Sequence, residues 1–127
     1  MKTIISIIML VITIQTAAQE FELKQYFFVE LKKGPNRNQD STIAMQIQEG
    51  HLKNITDLSN EGKLVCAGPF GDDEGGGILI LNVPDFQEAE KLVKKDPAVI
   101  SGRLSYKIRP WWTDKRTFTV ELDEYNQ

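Results

Sequence analysis

The chain holds one histidine, His51, and one cysteine, Cys66. Histidine is the side chain that titrates near neutrality without perturbation, so any proton transfer at physiological pH centres on His51. An imidazole becomes a useful base or acid when a carboxylate fixes which ring nitrogen carries the proton. Asp96, at the end of a helical segment and just before Pro97, is the candidate for that partner. Both residues also have plain structural readings. His51 falls at a position that faces the core and suits a histidine bonded to a backbone carbonyl, and Asp96 suits a turn or helix cap.

Other chemistries are poorly served. One Cys and one His exclude a disulfide within the chain and a zinc site built from Cys and His alone. Cys66 has no basic neighbour to lower its pKa, and burial on a strand is expected to protect it. Gly75-Gly76-Gly77 precede a strand and follow Asp72, Asp73 and Glu74, which suits a hairpin tip better than a phosphate cradle. That acidic trio lacks the spacing of a calcium loop, and no Gly-x-Ser-x-Gly elbow is present. Neither a metal nor a redox cofactor is expected. Arg109 and Lys107 share one face of a strand, where they could hold a ligand carboxylate or pair with Glu30. Gly68 and Pro69 end a strand at the mouth of an expected pocket, or simply make a tight turn. Tyr26 and Phe28 place aromatic rings on the face of the sheet that no helix covers. With Arg109, these four are the candidate ligand contacts outside the His51–Asp96 pair.

The elements that must position these residues follow from patterning. Residues 26–32 alternate as a strand, with Phe27, Val29 and Leu31 on one face and Tyr26, Phe28 and Glu30 on the other. A helix is expected from a Ser41 or Thr42 cap to about Asn60, with Ile43, Ala44, Ile47, Ile55 and Leu58 on one stripe and His51 inside it. Gly62 stops that helix. Strands are expected at 64–68 and 78–83. A second helix starts at the Asp85-x-x-Glu88 capping box and ends before Asp96-Pro97, with Phe86, Ala89, Leu92 and Val93 facing inward. A fourth strand covers 104–109, Trp111 and Trp112 pack at its end, and an alternation at Phe118, Val120 and Leu122 suggests a fifth edge strand or arm.

This order is the ferredoxin-like βαββαβ arrangement, an α+β fold with both helices on one face of an antiparallel sheet. The opposite face carries apolar residues from two strands with nothing over them, so a homodimer with sheets face to face is expected.

The N-terminus reads as a secretory signal. Lys2 precedes an apolar run at 4–14, and Ala17-Ala18 offer a cleavage site, so export to a periplasmic or extracellular space is expected. Removal of residues 1–18 takes the net charge from −3 to −4, because Lys2 leaves with them. The apolar run is too short to span a bilayer, so no stable membrane insertion follows cleavage. An acidic chain without a basic stripe is ill suited to nucleic acid. Residues 19–112 form the domain, and 113–127 are an extension.

The residues resemble the YciI-like (YCII-related domain) family. The resemblance is carried by Tyr26-Phe27-Phe28-Val29 at the start of the domain, His51-Leu52 in the first helix, and Glu61-Gly62-Lys63-Leu64 ahead of Ala67-Gly68-Pro69. It continues through Asp96-Pro97, Gly102 and Arg109-Pro110-Trp111. It implies a dimeric α/β barrel and an active site built on a histidine and an aspartate, matching His51 and Asp96. It also implies lyase or dehydrochlorinase-type steps on small ring compounds, the few assigned activities in a family mostly without one. The expected function is thus cofactor-free proton transfer on a small organic substrate by an exported lyase- or isomerase-type enzyme. The alternative is a non-catalytic ligand-binding or structural dimer, suggested by the leader and by Ala98, where the family often has an aromatic. A third reading uses the arm beyond residue 113 to add a strand to another chain.

Overall fold

In the computed structural model, which describes residues 20–118, the alternation of the first strand becomes β1 (Leu23–Lys33). The leader at 1–18 and Val120 and Leu122 of the expected arm lie outside the described residues. Then follow α1 (Ser41–Asn60), β2 (Leu64–Pro69), β3 (Gly77–Leu81), α2 (Phe86–Lys94), α3 (Pro97–Ile100) and β4 (Leu104–Asp114). The strands make one antiparallel sheet in the order β2-β3-β1-β4, the ferredoxin-like topology that the element order predicts.

Phe27, Val29 and Leu31 of β1 enter one core with Leu79 and Leu81 of β3, Leu58 of α1 and Ala89, Leu92 and Val93 of α2. Each large member contributes about 1.5–3 kcal/mol by leaving water. Both long helices therefore cover the same face of the sheet. α2 starts as its capping box predicts, with Asp85 accepting the Glu88 N–H at 2.8 Å. Phe86 departs from expectation and is exposed, because it precedes the part of the helix that touches the sheet.

Further expectations need correction. Asp40, not Ser41 or Thr42, caps α1 by accepting the Ile43 N–H at 2.9 Å, so the first turn extends beyond the sheet and Ile43 is exposed. β4 does not stop at Arg109. It continues to Asp114 because it is an edge strand, where Pro110 can face outward without depriving a neighbour of a donor. Trp112 is exposed on that extension, whereas Trp111 packs against Tyr26. Cys66 is exposed, because β2 is the other edge and a register shift between Leu64 and Cys66 loosens it. Phe118, expected on a fifth strand, lies in a turn with its ring 5.1 Å from that of Tyr26.

Candidate active site

The site forms where α1 crosses the short helix α3. At the crossing stands Gly50, and a Cβ there would come within 2.9 Å of the Pro97 ring, so this position has no room for a larger residue. The next residue, His51, reaches down to Asp96, and its Nδ1 lies 2.6 Å from Asp96 Oδ2. The second carboxylate oxygen, Oδ1, accepts the Ala98 N–H at 2.8 Å and so caps α3. Asp96 is thereby held from two sides at 2% exposure, and His51 sits beside it at 9%. Asp96 thus performs its structural and its pairing role at once, one with each oxygen.

A carboxylate accepts and does not donate, so this geometry puts the hydrogen on Nδ1 and the lone pair on Nε2. Nε2 has no partner, yet no buried side-chain nitrogen or oxygen among the described residues is left unsatisfied. Nε2 is therefore the accessible edge of the ring. His51 helps to line a cavity of about 420 Å³. That volume lies in the range of small-molecule sites.

The cavity lies between α1 and the helix-covered face of the sheet. Leu31, Leu79 and Leu104 supply apolar wall from three strands, and Ile55 supplies it from α1. Gly68 and Pro69 of β2 line it. The hairpin glycines also border it. Gly76, at φ 84°, lies so close to β1 that a Cβ would fall 2.1 Å from the Leu31 carbonyl oxygen, so the hairpin can close this wall only with glycine there.

Tyr26, Phe28 and Arg109 are not part of this arrangement. Tyr26 and Phe28 alternate with the core residues and so project from the opposite face, and Arg109 pairs in register with Phe28. Tyr26 is buried there beneath Trp111 and Phe118. Glu30 pairs with Lys32 at 3.2 Å instead of with Lys107 or Arg109. Three cations absent from the expected site line the cavity instead: Lys33, Arg37 and Arg103. Their signal is in the strand pairing and not in the local sequence. Antiparallel pairing of the first and last strands puts Lys33 opposite Leu104, which brings the residues after β1 beside those before β4.

Tyr106 lies on the other side of the core, where burial first, and then a 3.2 Å bond to Glu90, push its hydroxyl above its ordinary range. That bond ties α2 to β4 and lies outside the cavity. Among the described residues no group of three or more His, Cys, Asp or Glu side chains is placed to hold a metal ion. No helix among them is long and apolar enough to cross a membrane.

Comparison with known proteins places this geometry in context. The family model for the YCII-related domain matches residues 26–112. An uncharacterized protein, YjpA, of Bacillus subtilis (strain 168) is 34% identical over 62 residues, which are 49% of this chain and 72% of that protein. A solved structure of 5-chloro-2-hydroxyhydroquinone dehydrochlorinase (TftG) from Burkholderia phenoliruptrix AC1100, in complex with 2,5-dihydroxybenzoquinone, is similar at a TM-score of 0.50 and 21% identity. It covers 67% of this chain and 92% of its own. That likeness is one of fold.

Proposed function

The chain belongs to the YCII-related domain family, and from that premise we propose that it is a cofactor-free proton-transfer enzyme of lyase or isomerase type acting on a small organic molecule. The observation that carries this reading is the 2.6 Å His51–Asp96 bond, with the free ring nitrogen directed at a cavity. In the proposed step, Nε2 takes a proton from an acidic C–H or O–H of the bound molecule. The Asp96 carboxylate then balances the imidazolium. The same nitrogen returns the proton to another carbon, completing an isomerisation, or to a departing group, completing an elimination. A positioned base of this kind contributes typically ~10²–10⁴-fold to rate. The dehydrochlorinase named for the structural neighbour represents chemistry of this class, in which a base suffices and no oxidant is consumed.

The test is hydrogen exchange in D₂O, followed by NMR, with 2,5-dihydroxybenzoquinone and a panel of small cyclic ketones as probes. The wild-type chain is expected to accelerate exchange of at least one probe, and His51→Gln is expected to abolish the acceleration. Equal exchange in both proteins would overturn the assignment.

A non-catalytic binding module is the second reading, supported by Ala98, whose methyl group stands at the cavity wall beside the pair. Binding of the same probes with no exchange in either protein would favour it. The leader pattern at 1–18 supports export, and a mature N-terminus at or near Gln19 by mass spectrometry is its test. Pairing of two copies through the uncovered sheet face accompanies the proposal, supported by Phe28, Ile78 and Trp111 on that face. Light scattering should give twice the mature chain mass.

A further inference from the structure

The cavity that holds His51 also carries an uncompensated positive rim. Lys33 lies at the end of β1, Arg37 in the following loop and Arg103 at the start of β4, and all three line the cavity. Among the described residues none pairs with a carboxylate, although acidic residues outnumber basic ones, 18 to 15, in the chain as a whole. Their hydrogen-bond partners are neutral. Lys33 Nζ donates to the Asp73 carbonyl at 3.1 Å, Arg37 Nη1 to the Arg103 carbonyl at 2.7 Å, and Arg103 Nη1 to the Gln39 amide oxygen at 2.9 Å. Each guanidinium has five N–H donors, so most remain unclaimed. The acidic hairpin residue nearest to Lys33 offers its backbone and not its carboxylate.

These bonds also fix the cations in place. The Arg37 bond ties the β1–α1 loop to the start of β4, and the Gln39 amide steadies the Arg103 fork. Among the described residues Lys107 and Arg109 are likewise without carboxylate partners, but they stand on the opposite face and do not line this cavity. Like charges gathered on the rim of one cavity repel one another, and a bound anion would relieve that repulsion. A carboxylate suits two guanidinium forks, which can hold it bidentately. The apolar wall of Leu31, Leu79 and Leu104 suits the body of the same molecule.

We propose that the cavity binds a small organic acid, with its carboxylate on Arg37, Arg103 and Lys33 and its apolar body against the sheet, in reach of His51 Nε2. This deepens the reading of the cavity as a proton-transfer site and names the substrate class. The rim is a binding and positioning device; the proton transfer remains with His51.

The experiment is an NMR titration of the full mature chain with benzoate, with benzamide as its neutral isostere and inorganic phosphate as an anion without an apolar body. Benzoate is expected to shift the amides of Arg37, Gly76 and Arg103 and the His51 ring saturably, and to bind at least tenfold tighter than benzamide. Arg37→Gln combined with Lys33→Gln, both at exposed positions, is expected to reduce benzoate affinity at least tenfold and to leave benzamide unchanged. Phosphate is expected to compete weakly. Equal affinity for benzoate and benzamide, or an unchanged double variant, would overturn the proposal, and so would phosphate binding tighter than benzoate. His51→Gln separates the two readings, because it should retain benzoate binding within threefold. Charge-selective binding by the wild-type chain with no hydrogen exchange of any probe refutes the enzyme and keeps the organic-acid site.

Discussion

Replacing Asp96 by Asn tests the pair without changing its shape. The wild-type carboxylate accepts from His51 Nδ1 at 2.6 Å and from the Ala98 N–H at 2.8 Å. An asparagine has only one acceptor oxygen. If that oxygen keeps the α3 cap, its NH₂ group faces Nδ1 and the imidazole must accept there, which moves the ring hydrogen to Nε2. The lone pair proposed to act as the base is then lost from Nε2. To recover it, the ring would have to place Nδ1–H against an amide N–H, which leaves buried donors unmatched and costs about 1–3 kcal/mol. At 1.4 kcal/mol per factor of ten, the useful tautomer falls about five- to a hundredfold, and the proposed base catalysis falls with it. Stability should change less. A charge-assisted bond of about 1.5–3 kcal/mol gives way to a neutral one of about 0.5–1.5, a loss on the order of 1 kcal/mol.

Because the chain has one histidine, nitrogen NMR of the labelled protein reports this tautomer directly. The wild-type ring should carry its hydrogen on Nδ1, and Asp96→Asn should move it to Nε2. A wild-type ring protonated on Nε2, or a variant that keeps the wild-type tautomer, would refute the reasoning, whatever activity is later found.

Three other perturbations follow from the same geometry. Deleting the imidazole by His51→Ala leaves the Asp96 carboxylate at 2% exposure with only the Ala98 N–H, and a loss of about 3 kcal/mol or more is expected by urea denaturation. A loss under about 1 kcal/mol would show that water reaches the carboxylate. Gly50→Ala gains about 0.5–1 kcal/mol of helix preference but drives a methyl group to 2.9 Å from the rigid Pro97 ring, so net destabilisation and a weakened Nδ1–H signal in NMR are expected. Hydrogen bonds from the Arg116 side chain, and then from its backbone N–H, lower the Asp114 carboxyl from 3.8 to about 2. Since the folded value lies below the unfolded one, this contribution is present above about pH 4 and is lost as pH falls towards 2. Carbon NMR of Asp114 should titrate near 2 and return towards 4 in Arg116→Gln.

The fold was legible because its signals are local. The alternation of β1, the capping box of α2 and the stop at Gly62 each act within a few residues, and the order of elements then leaves few topologies. His51 was legible as an inward position from helical spacing alone, and Asp96 because Pro97 ends the preceding helix. The basic rim was not. Lys33, Arg37 and Arg103 read as ordinary surface cations until β1 and β4 pair, since only that pairing brings residues 66 positions apart, such as Arg37 and Arg103, into contact. Arg109 has the charge that a ligand carboxylate would need, but it lies on the face opposite the cavity. Along a strand, a shift of one position exchanges the two sides of the sheet, and charge carries no information about which side is lined by a cavity.

The contrast between the two long helices explains why there is a cavity at all. α2 fills its interface: Ala89, Leu92 and Val93 are all buried within nine residues. α1 has twenty residues, and His51 and Leu58 are its buried ones. Its apolar stripe is present, but Ile47 and Ile55 are only partly covered, because the surfaces opposite are small: Ala67, Gly68, Gly76 and Gly77 of the hairpin strands and Ala98 of α3. An ordinary core would fill such a gap, since empty volume costs about 24 cal/mol per Å³ when a buried side chain is cut back. The gap is open to solvent and persists where α1 is anchored at its two buried positions. One of those anchors is the imidazole itself, so the bond that holds α1 over the cavity also aims Nε2 into it. Filling the gap, for instance by Ala98→Phe, should therefore raise thermal stability through added apolar burial and remove benzoate binding. A bulky residue that raised stability and left binding intact would show that the space beside His51 is not where the ligand sits.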